Sequence, residues 1–307
     1  MNQARSSLTK GRRPPRFSAA APVIDSHCHV WRVDLLRAAW RGAPAKIRKT
    51  LRIRDLLSAT GDVQLTGIVL VEAGTSDEDN RWLTNVASRN PQVLGFVTFA
   101  DPLDHRLEKR LDRWRAASKF RGVRFRLEGI HDADFPATPR FTDALRLIRD
   151  KRLVAELLIE PRHMRSLSRA LDKVHGVKTV VDHLAKPSLG AGINTRARNV
   201  WEEGMRALAE SPSTFCKLSL SLPANEFAKQ LSTGTRFSDV GLVGSYTRFA
   251  LTEFGASRSC WGSDWPLSSL FAPYEAVLQV ARAALHPLNA RDAAAVFHDT
   301  AADLYSI

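Results

Sequence analysis

The stretch Val23-Ile24-Asp25-Ser26-His27-Cys28-His29-Val30-Trp31 is an apolar run carrying an acid and two imidazoles at alternate positions. Read as a strand, it puts Asp25, His27 and His29 on one face and Cys28 on the other, because successive strand side chains point to opposite sides. Two imidazoles so placed converge on one cation or one carbonyl, whereas a helix would hold them most of a half-turn apart. Two distant stretches share this character: Val180-Val181-Asp182-His183-Leu184-Ala185-Lys186-Pro187 and Cys260-Trp261-Gly262-Ser263-Asp264-Trp265-Pro266.

Working outward, β-branched and apolar runs recur at Val23–Trp31, Gly67–Ala73, Val93–Ala100, Gly122–Leu127, Leu153–Ile159, Lys178–His183, Thr214–Leu220 and Cys260–Asp264. Amphipathic segments alternate with them at Arg52–Thr60, Asp77–Asn90, Leu103–Ser118, Phe141–Lys151, Arg162–His175, Arg196–Glu210, Gly241–Phe254 and Tyr274–Ala284. Near-continuous apolar strands between helices indicate a parallel sheet covered by helices. Eight such units predict an α/β protein with a closed (β/α)8 TIM barrel. No Gly-x-Gly-x-x-Gly follows a strand, which removes the main reason to expect a dinucleotide fold. The insertions 32–52 and 221–240 are expected over the mouth.

In such a barrel the active site lies at the carboxyl ends of the strands. His27 and His29 fall there on the first strand, Arg124 and Arg126 on the fourth, and Glu156 on the fifth. His183 ends the sixth, Lys217 and Ser219 lie on the seventh, and Asp264 ends the eighth. Inward ionisable groups on core strands are costly unless paired or bound to something, so their convergence points to function.

The chain has 307 residues, 44% of them apolar, and a net charge of +13. That suffices for one large core, expected over 21–307 as a single domain. No apolar stretch reaches the roughly 20 residues of a membrane span, and no secretory signal is visible. Three cysteines without paired spacing fit a reducing compartment, so a cytoplasmic protein is expected. Much of the charge sits in two places. Residues 1–20 hold Arg5, Lys10, Arg12, Arg13 and Arg16 without an acid and read as a flexible, disordered basic arm, and a second basic cluster spans residues 32–55. No nucleic-acid motif accompanies the charge, so the arm reads as a solubilising tail rather than a nucleic-acid binder. Self-association into a homo-oligomer is compatible with this composition.

Ile24 to Trp31, Val181 to Pro187, Lys217-Leu218-Ser219 and Trp261 to Pro266 together resemble the signatures of the amidohydrolase superfamily, specifically its amidohydrolase-2 branch of TIM-barrel hydrolases and lactonases. Val296 to Tyr305 is similar to the family's closing helix, so the resemblance runs from about Val23 to the end. It implies that His27 and His29 are metal or substrate ligands, His183 the strand-six imidazole, and Asp264 both ligand and proton carrier. It implies one divalent ion, Zn2+ first, held by His27, His29, His183, Asp264 and Glu156. Strand five departs from many relatives by offering Glu156 where they place a histidine. The branch's lactonases also lack that histidine, and some work without a metal, so metal-independent catalysis fits as well.

Arg124 and Arg126 share a strand face and suit a bidentate grip on a carboxylate, or else face the helix layer. Glu156 is expected as a metal ligand, as a partner orienting a histidine, or as counter-ion to Arg124 or Lys217. Lys217 is read equally as a buried ion-pair member or a substrate contact. Trp31 is expected to shape the pocket, while His131, His163, His175, His286 and His298 read as surface residues. The expected function is water-driven opening of a carboxylated or sugar-type lactone, with Asp264 moving the proton and His27, His29 and His183 polarising the carbonyl. Two alternatives are a non-oxidative decarboxylase of an aromatic or unsaturated acid, and a basic nucleic-acid-binding protein on an inactive barrel.

Overall fold

The computed structural model describes residues 22–36, 43–188, 195–219 and 240–307. The basic arm and residues 221–239 of the second insertion lie outside them. Eight parallel strands pair in sequence order: β1 (Ile24–Cys28), β2 (Gly67–Val71), β3 (Val93–Phe99), β4 (Phe120–Arg126), β5 (Val154–Leu158), β6 (Thr179–Val181), β7 (Thr214–Lys217) and β8 (Ser259–Cys260). This is the expected (β/α)8 barrel. No helix among the described residues is long and apolar enough to cross a membrane.

The strand sequences dictate two layers. Ile68 and Leu70 on β2, Val123 and Phe125 on β4, and Ala155 and Leu157 on β5 point outward into the core under the helices. Val69, Val71, Val97, Val154, Val180 and Cys260 point inward and pack with Leu304 and Tyr305 of the closing helix Thr300–Tyr305. Arg124, Arg126, Glu156 and Lys217 have the inward parity, and Arg124 lies in register with Glu156 on the neighbouring strand. Their ionic groups therefore meet inside the barrel and not in the helix layer.

Several helices begin where a polar cap supplies an acceptor for the exposed N–H groups. Ser76 accepts from the Asp79 amide, Thr138 from Phe141 and Thr195 from Arg198. The segment expected over Leu103–Ser118 is helical only over Leu107–Arg115. Asp101 and Asp104 draw the amides of Leu103 and Arg106 into local turns first, at 2.8 and 2.9 Å.

Closure between β8 and β1 explains why the eighth strand is shorter than expected. The Asp264 amide donates to the His27 carbonyl at 2.8 Å and the His29 amide to Trp265 at 2.7 Å. A Cβ on Gly262 would lie 2.6 Å from the Cβ of His27, so only glycine permits this approach. Asp25 fastens the junction. Its carboxylate accepts from the Ser263 amide (2.9 Å), the Ser263 hydroxyl (2.6 Å) and the Tyr274 hydroxyl (2.8 Å). Strand alternation alone grouped Asp25 with the two imidazoles, but its fully buried carboxylate is spent on the seam. Asp25→Ala leaves those donors unsatisfied and is expected to lower unfolding free energy by about 3 kcal/mol in urea titrations.

Candidate active site

His27 lies in β1 and His29 just beyond its end, where a register shift between Asp25 and Cys28 bends the strand. The two rings meet edge-on with centroids 4.8 Å apart, and His183 stands 4.5 Å from His27. Asp264 completes the group. Its Oδ1 lies 3.2 Å from His29 Nε2 and 3.8 Å from His27 Nε2. All four residues are buried at one mouth, as the sequence motifs anticipated.

Backbone geometry at this mouth is unusual. After β6 the chain passes through His183, Leu184, Ala185 and Lys186 with φ of 51°, 56°, 56° and 51°, a left-handed turn made without glycine. Such residues cost about 1–2 kcal/mol each, so the surroundings must hold them. The Trp201 indole does so from helix Arg196–Ala209, donating to the Leu184 carbonyl at 2.6 Å. Asp264 is also left-handed, at φ 55°.

The donors and acceptors assign most protons. His29 donates from Nδ1 to the Val71 carbonyl at 2.9 Å, and a further proton lies between its Nε2 and Asp264 Oδ1 at 3.2 Å, since without it two lone pairs would face each other. Arg124 donates to His183 Nε2 at 3.2 Å, so His183 carries its proton on Nδ1 and donates to Ser219 Oγ at 2.8 Å. Burial holds the His27 and His183 imidazoles well below their ordinary value; the Lys217 charge adds to this at His27, and at His183 Arg124 adds while Asp264 opposes. Burial pushes the Asp264 carboxyl up, but the facing His183 and His29 imidazoles and Arg124 outweigh it and hold it below the usual carboxylate range.

A buried ionic cluster lies beneath. Arg124 Nε donates to Asp182 at 2.6 Å, and its Nη1 lies 3.4 Å from Glu72 Oε1. Arg126 Nε approaches the same Glu72 oxygen at 3.2 Å, with its side chain 22% exposed at the rim. Lys217 Nζ lies 2.7 Å from Glu156 Oε1, and the Tyr305 hydroxyl donates to that oxygen as well. Arg124 is thus committed to protein partners and not open for a bidentate grip on substrate.

Two groups among the described residues have the spacing to hold a metal ion: His27, His29 and Asp264, and His27, Asp182 and His183. Glu156, expected as a ligand, belongs to neither, and its Oε1 takes Lys217 and Tyr305. His183 does not share the group of His29 and Asp264. Trp31 does not join the cluster. Its indole donates to the Lys49 carbonyl at 2.8 Å and its backbone bridges Leu51, pinning the first insertion beside β1. His163, expected at the surface, is buried, with Nε2 2.9 Å from the Ile130 carbonyl and Nδ1 accepting from the Glu160 amide. Sequence reasoning missed Asp182 and Glu72 as members of the cluster. Both stand at carboxyl ends of apolar strand runs, the signal that had singled out Glu156.

The family model described as Amidohydrolase matches residues 24–307. An L-fucono-1,5-lactonase of Burkholderia ambifaria is 30% identical over 253 residues, covering 80% of this chain and 81% of that one. An L-fucono-1,5-lactonase of Burkholderia multivorans is 27% identical over 288 residues, covering 92% and 96%. The crystal structure of a Burkholderia multivorans amidohydrolase with bound zinc is similar at a TM-score of 0.83 and 28% identity, covering 94% of this chain and 100% of that one.

Removing one member of a buried ion pair leaves its partners charged in a dry place. Arg124→Met, which removes the nearest cation of Asp182 and one of the two beside Glu72, is expected to cost about 3–5 kcal/mol in chemical denaturation, with Arg124→Lys costing less.

Proposed function

This chain belongs to the amidohydrolase family, and from that premise we propose that its barrel mouth opens the ring of a sugar-type lactone by attack of water. The observation that carries this reading is the Asp264 carboxylate, buried and shared between two imidazole nitrogens at 3.2 and 3.8 Å. The names of the lactonase relatives support the substrate class.

Ring opening needs a nucleophilic water, a polarised carbonyl and a proton for the departing ring oxygen. Asp264, its carboxyl held toward the ionised form, takes the proton from water and returns it to the alkoxide. His29, fixed by Val71, orients the carboxylate. His27 Nε2 is buried without a hydrogen-bond partner and is the polar atom open to a carbonyl oxygen. His183 has both nitrogens engaged and serves to hold Arg124, a different part from the carbonyl polarisation expected from sequence. Arg126, at the rim, is the cation placed to meet substrate hydroxyls or a carboxylate.

A divalent ion, zinc first, fits the donor set. His29 Nε2 and Asp264 Oδ1 lie 3.2 Å apart and become ligands when the proton between them leaves, and His27 Nε2 is an orphaned buried atom beside both. Bound there, such an ion supplies Lewis-acid polarisation and a lower pKa for a coordinated water.

The purified protein is expected to hydrolyse L-fucono-1,5-lactone within a panel of five- and six-membered sugar lactones, followed by acid release. Asp264→Asn should reduce turnover by about 10²–10⁴-fold with unchanged circular dichroism. Carbon dioxide release from aromatic acids, with every lactone inert, would replace this reading by a decarboxylase. Zinc binding followed by elemental analysis should weaken at least about tenfold in His29→Ala.

A further inference from the structure

Among the buried atoms without hydrogen-bond partners are His27 Nε2, Asp182 Oδ1 and Glu156 Oε2. All three surround one contact. Lys217 Nζ lies 2.9 Å from His27 Nδ1, with Asp182 Oδ1 at 3.5 Å and Glu156 Oε2 at 3.8 Å from the same nitrogen. A lysine ammonium carries three protons and no lone pair, so Nδ1 accepts and the imidazole proton sits on Nε2. A protonated nitrogen has nothing to give a metal. His29 differs in that Nδ1 is held as a donor by the Val71 carbonyl, so the nitrogen turned toward Asp264 is Nε2, which offers a lone pair once the proton between it and Asp264 leaves.

We propose that Lys217 is a positioning residue that sets the tautomer of His27, and so decides whether the mouth offers a hydrogen-bond donor to a substrate carbonyl or a complete cradle for a divalent cation. With Lys217 on Nδ1, His27 presents Nε2–H beside Asp264. The other arrangement is already provided for. Lys217 is in reach of Glu156 Oε1 at 2.7 Å and Asp182 Oδ1 at 3.6 Å without His27. His27 Nδ1–H can then donate to Asp182 Oδ1 or Glu156 Oε2, acceptors now without a donor. The lone pair moves to Nε2, completing the set with His29 and Asp264. The alternative tautomer thus supplies a donor to one of these two acceptors. This inference rests on the reading of the mouth given above.

The test uses the full chain. Zinc titration followed by calorimetry should show Lys217→Met binding about tenfold tighter or more than the wild type, since partners behind a ligand alter affinity on that scale. Loss of the lysine charge alone also favours a cation, so the charge-balanced Lys217→Met/Glu156→Gln variant must show the same tightening. Lys217→Met/Glu156→Gln leaves Glu156 uncharged and keeps the test open should the single variant fail to fold. In the wild type, nitrogen-15 imidazole spectra should place the His27 proton on Nε2 without metal and on Nδ1 with zinc, the signal assigned by its loss in His27→Gln. A metal-free proton on Nδ1, or zinc affinity unchanged or lower in the folded variants, overturns the proposal. Lactone turnover of the same wild-type sample reports separately on the proposed function.

Discussion

Charge held in a dry place is the constraint on which this mouth depends. Glu72, Glu156, Asp182 and Asp264 are buried, and Arg124 and Lys217 are the cations buried with them, Arg126 reaching in from the rim. Each ion taken out of water costs several kcal/mol, recovered only through close pairing and full hydrogen bonding. Parallel strands supply that closeness, because inward positions of neighbours in register face each other, as Arg124 and Glu156 do. Acids nevertheless outnumber buried cations among the described residues. The imbalance makes the mouth a place for positive charge or for protons, and the imidazoles line it accordingly.

Beside this cluster, a second set of polar bonds does purely architectural work. Asp25 has the look of a reacting group, an acid two residues from His27, yet Ser263 and Tyr274 consume its carboxylate at the β1/β8 seam. The bonds that close the barrel run through the same few residues that carry the imidazoles and Asp264, so closure and site geometry are not separable.

The fold was legible because its periodicities are local. Buried parallel strands are apolar on both faces, and the ionisable residues that interrupt them lie near their carboxyl ends. The membership of the site was legible to the extent that histidines are conspicuous there. What sequence hid was pairing. Nothing local tells that Arg124 is saturated by Asp182, Glu72 and His183, or that Lys217 claims Glu156. These contacts join residues more than fifty positions apart. Likewise His163 sits in a polar-looking stretch, and only the turn around it shows that two backbone groups satisfy its ring. Trp31 fails for a related reason, since the fate of a large aromatic after a strand depends on which insertion folds back onto it.

The left-handed turn has an implication for how this barrel can diverge. Its strained backbone is restrained in part from the outer layer, through the Trp201 indole on the Leu184 carbonyl. A helix remote from the chemistry therefore steers the placement of an imaginary lever arm ending at His183. Drift on that outer surface, ordinarily tolerated in a protein of this architecture, would here be felt as altered alignment inside the lumen. Replacing Trp201 leaves the Leu184 carbonyl without this donor unless another takes its place.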